Sequence, residues 1–314
     1  MSAAGAYSLL NKVENAHSDP IYCCSWAKVK INQDSIVNDN YVVTGGLDGL
    51  VKVWNVNNNK LELLQTLQGH AMAVVSIAVS SKSLVFASAS LDSTIILWDL
   101  PNCKKIKQIN TDATDTWQIA FSPDGDFIVS GRHNGNLTVY NIENNSIETE
   151  MDSRGQFALS VAWSDNGKYI ACGSVDGNVH IFDAVQHKLL HTLNAHTETV
   201  RSVNFSPSSK LLVSGSTDGY VKIFNTYNKN MVCSLKLDSW VMSVCFSPDE
   251  SRVAIATGDG AVTIALTADL KVLKTFQEHT GKVCDVKFSS DGTKLISVAK
   301  DNSINIYECP KLKK

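Results

Sequence analysis

The chain has 314 residues, 44% of them hydrophobic, and sets 28 Lys and Arg against 31 Asp and Glu for a formal charge of -3. This is the composition of a folded globular chain and excludes disorder as the default. With no sequence-wide cationic excess to neutralise phosphates, direct contact with nucleic acid is not expected, and no apolar run approaches the length that spans a membrane.

From the N-terminus, "MSAAGAYSLLNKVEN" has no charged region followed by an apolar run and carries Ser2, so neither secretion nor myristoylation is signalled. Within it, Tyr7 to Val13 is strand-like text similar to "HKLLHTL" further along. A polar stretch follows at residues 28–40, "KVKINQDSIVNDN", whose Asn and Asp content predicts a mobile loop. Strand text then recurs on a fixed period. Segments end "VKVWN" at Trp54, "IILWD" at Trp98, "LTVYN" at Tyr140, "VHIFD" at Phe182, "VKIFN" at Phe224, "VTIAL" at Ala265 and "INIYE" at Tyr307, at intervals of 44, 42, 42, 42, 41 and 42. The sixth unit departs from the pattern, with Ala265-Leu266 in place of the aromatic-acidic pair.

Six residues before each of these ends lies Asp48, Asp92, Asn134, Asp176, Asp218, Asp259 or Asp301, usually followed by Gly. Asp-Gly and Asn-Gly between alternating apolar runs are hairpin signals, because Gly accepts the positive φ of tight turns. A second turn recurs as "FSPDG", "WSDNG" and "FSSDG". Each unit is thus several short strands joined by tight turns, and a period near 42 of this kind predicts the four-stranded blade of a β-propeller. Seven units occupy almost the whole chain, so the expectation is an all-β, seven-bladed propeller forming one domain over residues 1–314. The last unit has no sequence left for its outer strand, so the Tyr7–Val13 segment should supply it and close the ring.

A histidine, a hydroxyl and an aspartate also recur. His70 precedes Asp92 by 22 residues, as His196 precedes Asp218 and His279 precedes Asp301; His17 and Asp48 are further apart by the nine extra residues of the 28–40 stretch. Thr44, Ser88, Ser214 and Ser297 each stand four residues before the aspartate. A catalytic triad is one site, whereas this pattern occurs four times, so the reading is structural and no enzyme activity is expected. Eight cysteines show no C-x-x-C pair and mostly sit in apolar strand text, which reads as reduced core thiols of a cytosolic or nuclear protein. No short-spaced ligand set points to a metal, and no cofactor is implied. The closing "KLKK" reads as a solvated end.

With Gly69-His70 and Trp98-Asp99 standing as "GH" and "WD", the chain resembles the WD-repeat family over its whole length. The resemblance implies that His70, Ser88, Asp92 and Trp98 form a hydrogen-bonded tetrad inside a blade, as do His17, Thr44, Asp48 and Trp54. It also implies that the ring-shaped top face is the contact surface. Register places Tyr22, Val75, Trp117, Leu159, Arg201, Met242 and Cys284 in one rim column, and Pro20, Ala73, Asp115, Phe157, Thr199, Trp240 and Lys282 in another. Tyr22, Trp117, Phe157, Arg201, Trp240 and Met242 are of the types that carry binding energy at interfaces, and these six are the candidate partner-binding residues. Trp26 and Trp163 share a column with Phe121 and Phe205 and are assigned to packing.

Blocks such as "GGLDGLVKVWN", "LQGHAMAVVSIAVS", "RGQFALSVAWSDNGKYIACGSVDGNVHIFD" and "SDGTKLISVAKDNSINIYECP" are similar to the small WD-repeat subunit family of the superkiller complex, also known in metazoa as WD repeat-containing protein sixty-one. That resemblance implies a non-catalytic interaction scaffold, monomeric outside its complexes, in both nucleus and cytoplasm. In the cytosol its partners would be the tetratricopeptide scaffold and the helicase of the superkiller complex, which feeds messenger RNA to the exosome. In the nucleus they would be subunits of the polymerase-associated factor complex, acting in transcription elongation and histone modification. The alternatives are a histone-tail reader, for which Asp115, Trp117 and Phe157 would form the cage, and a ubiquitin-ligase substrate receptor.

Overall fold

The computed structural model describes residues 6–29, 38–111, 116–153 and 155–312, with residues 28–29 and 38–40 described by their backbone alone. Short runs rich in β-branched, aromatic and small residues, set between tight turns, form the strands; inner strands such as Arg252–Thr257 are buried on both faces, while outer ones such as Lys188–Asn194 alternate. Among the described residues there are 28 strands and no helix, arranged as seven four-stranded antiparallel sheets. Six sheets take four consecutive strands each. The seventh takes the last three strands and, outermost, Ser8–Val13, in which Leu9 opposes Tyr307 and Val13 opposes Ile304. The N-terminal strand therefore covers the edge that the last blade would otherwise leave unpaired. The first two strands of blade one run to Val29 and begin again at Asn38, so both ends of the predicted 28–40 loop are strand. Residues 30–37 of that prediction lie outside the described residues, as does Asp115.

The tight turns have the backbone the sequence calls for. Gly177 has φ +86°, and a Cβ there would run into the His196 carbonyl. Ser93 and Asn302 fill the same slot in blades two and seven at φ 65° and 62°, a conformation that Asn tolerates better than most residues.

The hydrophobic core is divided into seven, one cluster at each joint between neighbouring blades. Val43, Val53, Phe86 and Trp98 pack blade one on blade two; Ile21, Val42, Trp54, Ile296 and Ile306 pack blade seven on blade one. Fully burying each such side chain contributes about 1.5–3 kcal/mol, so ring closure rests on a core cluster as well as on the outermost strand.

The innermost strands are also stitched to one another by side chains. Ser76 Oγ accepts the Ile119 N–H at 3.1 Å and Gln118 Oε1 the Val161 N–H at 3.0 Å. Ser202 Oγ accepts the Val244 N–H at 3.1 Å. Ser243 donates to Asp285 at 2.7 Å, and the other oxygen of Asp285 accepts the Cys24 N–H at 3.1 Å, which carries the stitching across the closure from blade six to blade one. At the joint between blades four and five, the counterpart Ser160 has its Oγ buried without a partner. In the irregular sixth blade, Arg252 is fully buried. Its Nη1 donates to the Pro310 carbonyl and its Nη2 to that of Gly292, both at 2.9 Å, tying this blade to the C-terminal segment.

Candidate protein-interaction face

Two sets of side chains compete for a functional reading, and geometry separates them. Inside blade one, His17 Nδ1 lies 2.9 Å from Asp48, His17 Nε2 lies 2.9 Å from Thr44 Oγ1, and Trp54 Nε1–H donates to the same oxygen at 2.9 Å. Blade two repeats this with His70, Asp92, Ser88 and Trp98 at 3.2, 2.7 and 2.8 Å. Blade five has His196, Asp218 and Ser214, and blade seven His279, Asp301 and Ser297. Proton bookkeeping fixes the polarity in blades one and two: a carboxylate only accepts, so Nδ1 carries the proton, Nε2 accepts from the hydroxyl, and the hydroxyl oxygen accepts from the indole. Burial lowers the pKa values of His17, His70 and His196, while the facing aspartates act in the opposite sense, so these imidazoles are neutral.

The order hydroxyl, imidazole, carboxylate is that of a hydrolase triad, yet the chemistry is closed off. Thr44, Ser88, Ser214 and Ser297 have no exposed surface, and in blades one and two an indole N–H occupies the oxygen that would attack. Two further members were not singled out from the sequence: Thr94 donates to Asp92 at 2.6 Å and Ser303 to Asp301 at 2.7 Å. Both stand two residues after their aspartate, which was the available signal.

The second set surrounds the axis of the ring. Pairing between the first two strands of a blade skips a residue in six of the seven blades, and the extra residues are Tyr22, Val75, Leu159, Arg201, Met242 and Cys284. A β-bulge of this kind re-aims a side chain out of the ladder. Here the whole predicted column, with Trp117 from blade three, is turned onto a central cavity of about 890 Å³. Tyr22, Trp117, Arg201 and Met242 line one mouth; Trp163 and Asp165 line the other end. Trp163 thus corrects its assignment to packing alone: it rests on the core between blades three and four and also faces the cavity, with a buried Nε1–H that has no partner.

Phe157 and Trp240 are outside the cavity wall, set back on the rim. Trp117, 38% exposed, meets the Phe157 ring edge-on at 6.1 Å, and His133 lies 4.9 Å from the same ring. Trp240, 47% exposed, carries the Lys282 ammonium 4.3 Å above its ring, and Lys300 sits 5.9 Å from the ring of Tyr22. Ala73, from the same predicted column, is buried instead. Within the cavity, Lys287 stands 3.2 Å from Asp285. Burial alone would lower the lysine pKa, but the facing carboxylate raises it well above the ordinary value. Among the described residues no three His, Cys, Asp or Glu side chains gather as a metal-binding group.

Comparison with known proteins gives the following. The model described as the IFT122 first beta-propeller matches residues 36–307, and that described as WD domain, G-beta repeat matches residues 9–55. The chain is 36% identical over 144 residues to WD repeat-containing protein SL1-17 of Schistosoma mansoni, covering 46% of this chain and 46% of that protein. It is 33% identical over 116 residues to WD repeat-containing protein VIP3 of Arabidopsis thaliana, 37% of this chain and 34% of that protein. It is also 33% identical over 107 residues to Meiotic recombination protein rec14 of Schizosaccharomyces pombe, 34% of this chain and 35% of that protein. The matched segments span less than half the length of these curated relatives.

Proposed function

Because the chain belongs to the WD-repeat β-propeller family described as the IFT122 first beta-propeller, a fold that serves as a protein-interaction scaffold, we propose that its rim docks partner polypeptides as a non-catalytic subunit of larger assemblies. The observation that carries this reading is the exposure of two large aromatic side chains, Trp117 and Trp240, on the rim, beside a column of residues that β-bulges turn onto the cavity mouth. Exposed tryptophans on a rigid ring are the residues from which interface hot spots are made.

The resemblance of its sequence blocks supports the superkiller complex, through its tetratricopeptide scaffold and helicase, and the polymerase-associated factor complex as the assemblies. Residence in cytoplasm and nucleus belongs to the same proposal. The histone-tail alternative gains no support from the mouth of the cavity, where Arg201 and Lys300 would repel a cationic tail. The test is affinity purification of the intact chain and of a Trp117→Ala, Trp240→Ala chain, with mass spectrometry of what is retained. Recovery of superkiller and polymerase-associated factor subunits with the intact chain, and their loss from the folded double variant, is the expected result. Retention of both complexes by the variant would remove the rim from the reading, and absence of both complexes from the intact chain would remove the assemblies.

A further inference from the structure

Arg201 is the unusual group of this rim. It is partly buried, it is turned onto the cavity by the bulge between Val200 and Ser202, and its Nε is buried without a hydrogen-bond partner. No described residue forms an ion pair with it. The other cations of the molecule's interior are matched: Lys287 faces Asp285 at 3.2 Å, and Arg252 holds two carbonyls at 2.9 Å. A guanidinium N–H withdrawn from water and left without a partner among the described residues is a cost to the fold. Burial lowers its pKa from the ordinary value, the nearby Cys284 thiol opposing.

Its surroundings are one-sided. On blades five to seven the rim carries Arg201, Lys282 and Lys300, and none of the described residues of the two predicted rim columns is a carboxylate. Across the ring the mouth is apolar, with Leu47, Val75, Leu91 and Trp117. Five N–H donors in a planar fork match a carboxylate better than any other common protein group.

We propose that Arg201 is a specificity-determining residue of the docking face, and that it pairs with the side-chain carboxylate of an Asp or Glu in a partner segment whose neighbouring apolar residue seats on the Leu91 and Trp117 side of the mouth. This rests on the reading of the rim as a docking face and adds the chemistry of what docks. The pair is completed only in the complex, which accounts for a cation that has no partner among the described residues of the free chain.

The experiment uses the full chain and arrays of short peptides in matched pairs, Asp or Glu against Asn or Gln at one position beside a Leu or Phe. The intact chain is expected to retain the carboxylate member at least about tenfold more tightly, the scale of a charge-assisted hydrogen bond. Arg201→Met is expected to erase that preference while its melting temperature does not fall, since no side-chain hydrogen bond or ion pair among the described residues is lost. Absence of a carboxylate preference in the intact chain, or its persistence in Arg201→Met, overturns the assignment. Acetate or free glutamate that raises the melting temperature of the intact chain but not of Arg201→Met, with no peptide retained, also overturns it, because the site would then take a small free anion. Peptides that lose binding in Trp117→Ala, Trp240→Ala yet show no charge preference leave the docking face standing and sink only the role of Arg201. Equal retention by the tryptophan variant sinks the docking face itself.

Discussion

Replacing Ser88 by alanine tests the hydrogen-bonded chain of blade two against a built-in control in blade five. Ser88 Oγ has two buried partners, His70 Nε2 at 2.7 Å and Trp98 Nε1 at 2.8 Å. In blade five Phe224 takes the tryptophan position, and Ser214 Oγ meets only His196 Nε2, at 2.8 Å. A buried polar nitrogen stripped of its partner costs about 1–3 kcal/mol. Ser88→Ala should therefore destabilise by about 2–6 kcal/mol, and Ser214→Ala by about 1–3 kcal/mol. Guanidinium unfolding followed by fluorescence gives both numbers, provided the two variants keep the slope of the intact chain. Adding Trp98→Phe removes the second donor in blade two, and in that background the cost of Ser88→Ala should fall to the value measured for Ser214→Ala. Equal losses for the two serine variants in the intact background would refute the assignment of the indole N–H as a net contributor.

Stability should also depend on pH in a defined direction. The folded pKa values of His17, His70 and His196 are lowered from 6.5, so the unfolded chain takes up protons that the native chain refuses. Their contribution is complete above pH 6.5 and lost as pH falls through 6.5 towards the folded values. Burial alone would raise Asp92 and Asp218, but hydrogen bonds and the facing histidines pull both below 3.8, so a second loss follows below that pH. A denaturation midpoint that stays flat from neutral pH down through 5 would contradict this. At the C-terminal seam, Arg252→Met should open the segment it clamps. Cys309 is fully buried, and burial pushes its thiol up to about 12, with Arg252 opposing. Alkylation of the native chain should spare Cys309 and reach it in the variant. Losing the cation would by itself make the thiol less reactive, so a rise in labelling reports opening, and an unchanged rate would show that the clamp is dispensable.

The period, the turn residues and the four histidine-aspartate sets were legible because they are local and repeated: each depends on spacing within one blade. So was the closing strand, predicted at Tyr7–Val13 and found at Ser8–Val13, because the last blade visibly lacks an outer strand. What crosses between blades was harder to see. Ser76 meets Ile119 43 residues on and Ser202 meets Val244 42 residues on, and serine in a strand carries no sign that it bridges two sheets. Arg252 reads as a surface residue, since arginine is almost never fully buried unless paired, and its partners are two carbonyls that no side-chain pattern reveals. Trp163 shares a column with phenylalanines that pack on the core, and the column alone does not say that Trp163 and Phe121 also reach the cavity.

The collar of side-chain bonds between the innermost strands bears on how a partner is received. Its donors and acceptors are spent on holding adjacent blades at fixed angles, and the bulged rim residues are mounted on that collar. The platform is thus already ordered before anything arrives. Association then requires little loss of motion from the ring, and nearly all of the ordering entropy falls on the incoming segment. A flexible tail and a preformed helix offering the same side chains should differ in affinity by the disorder each gives up on docking.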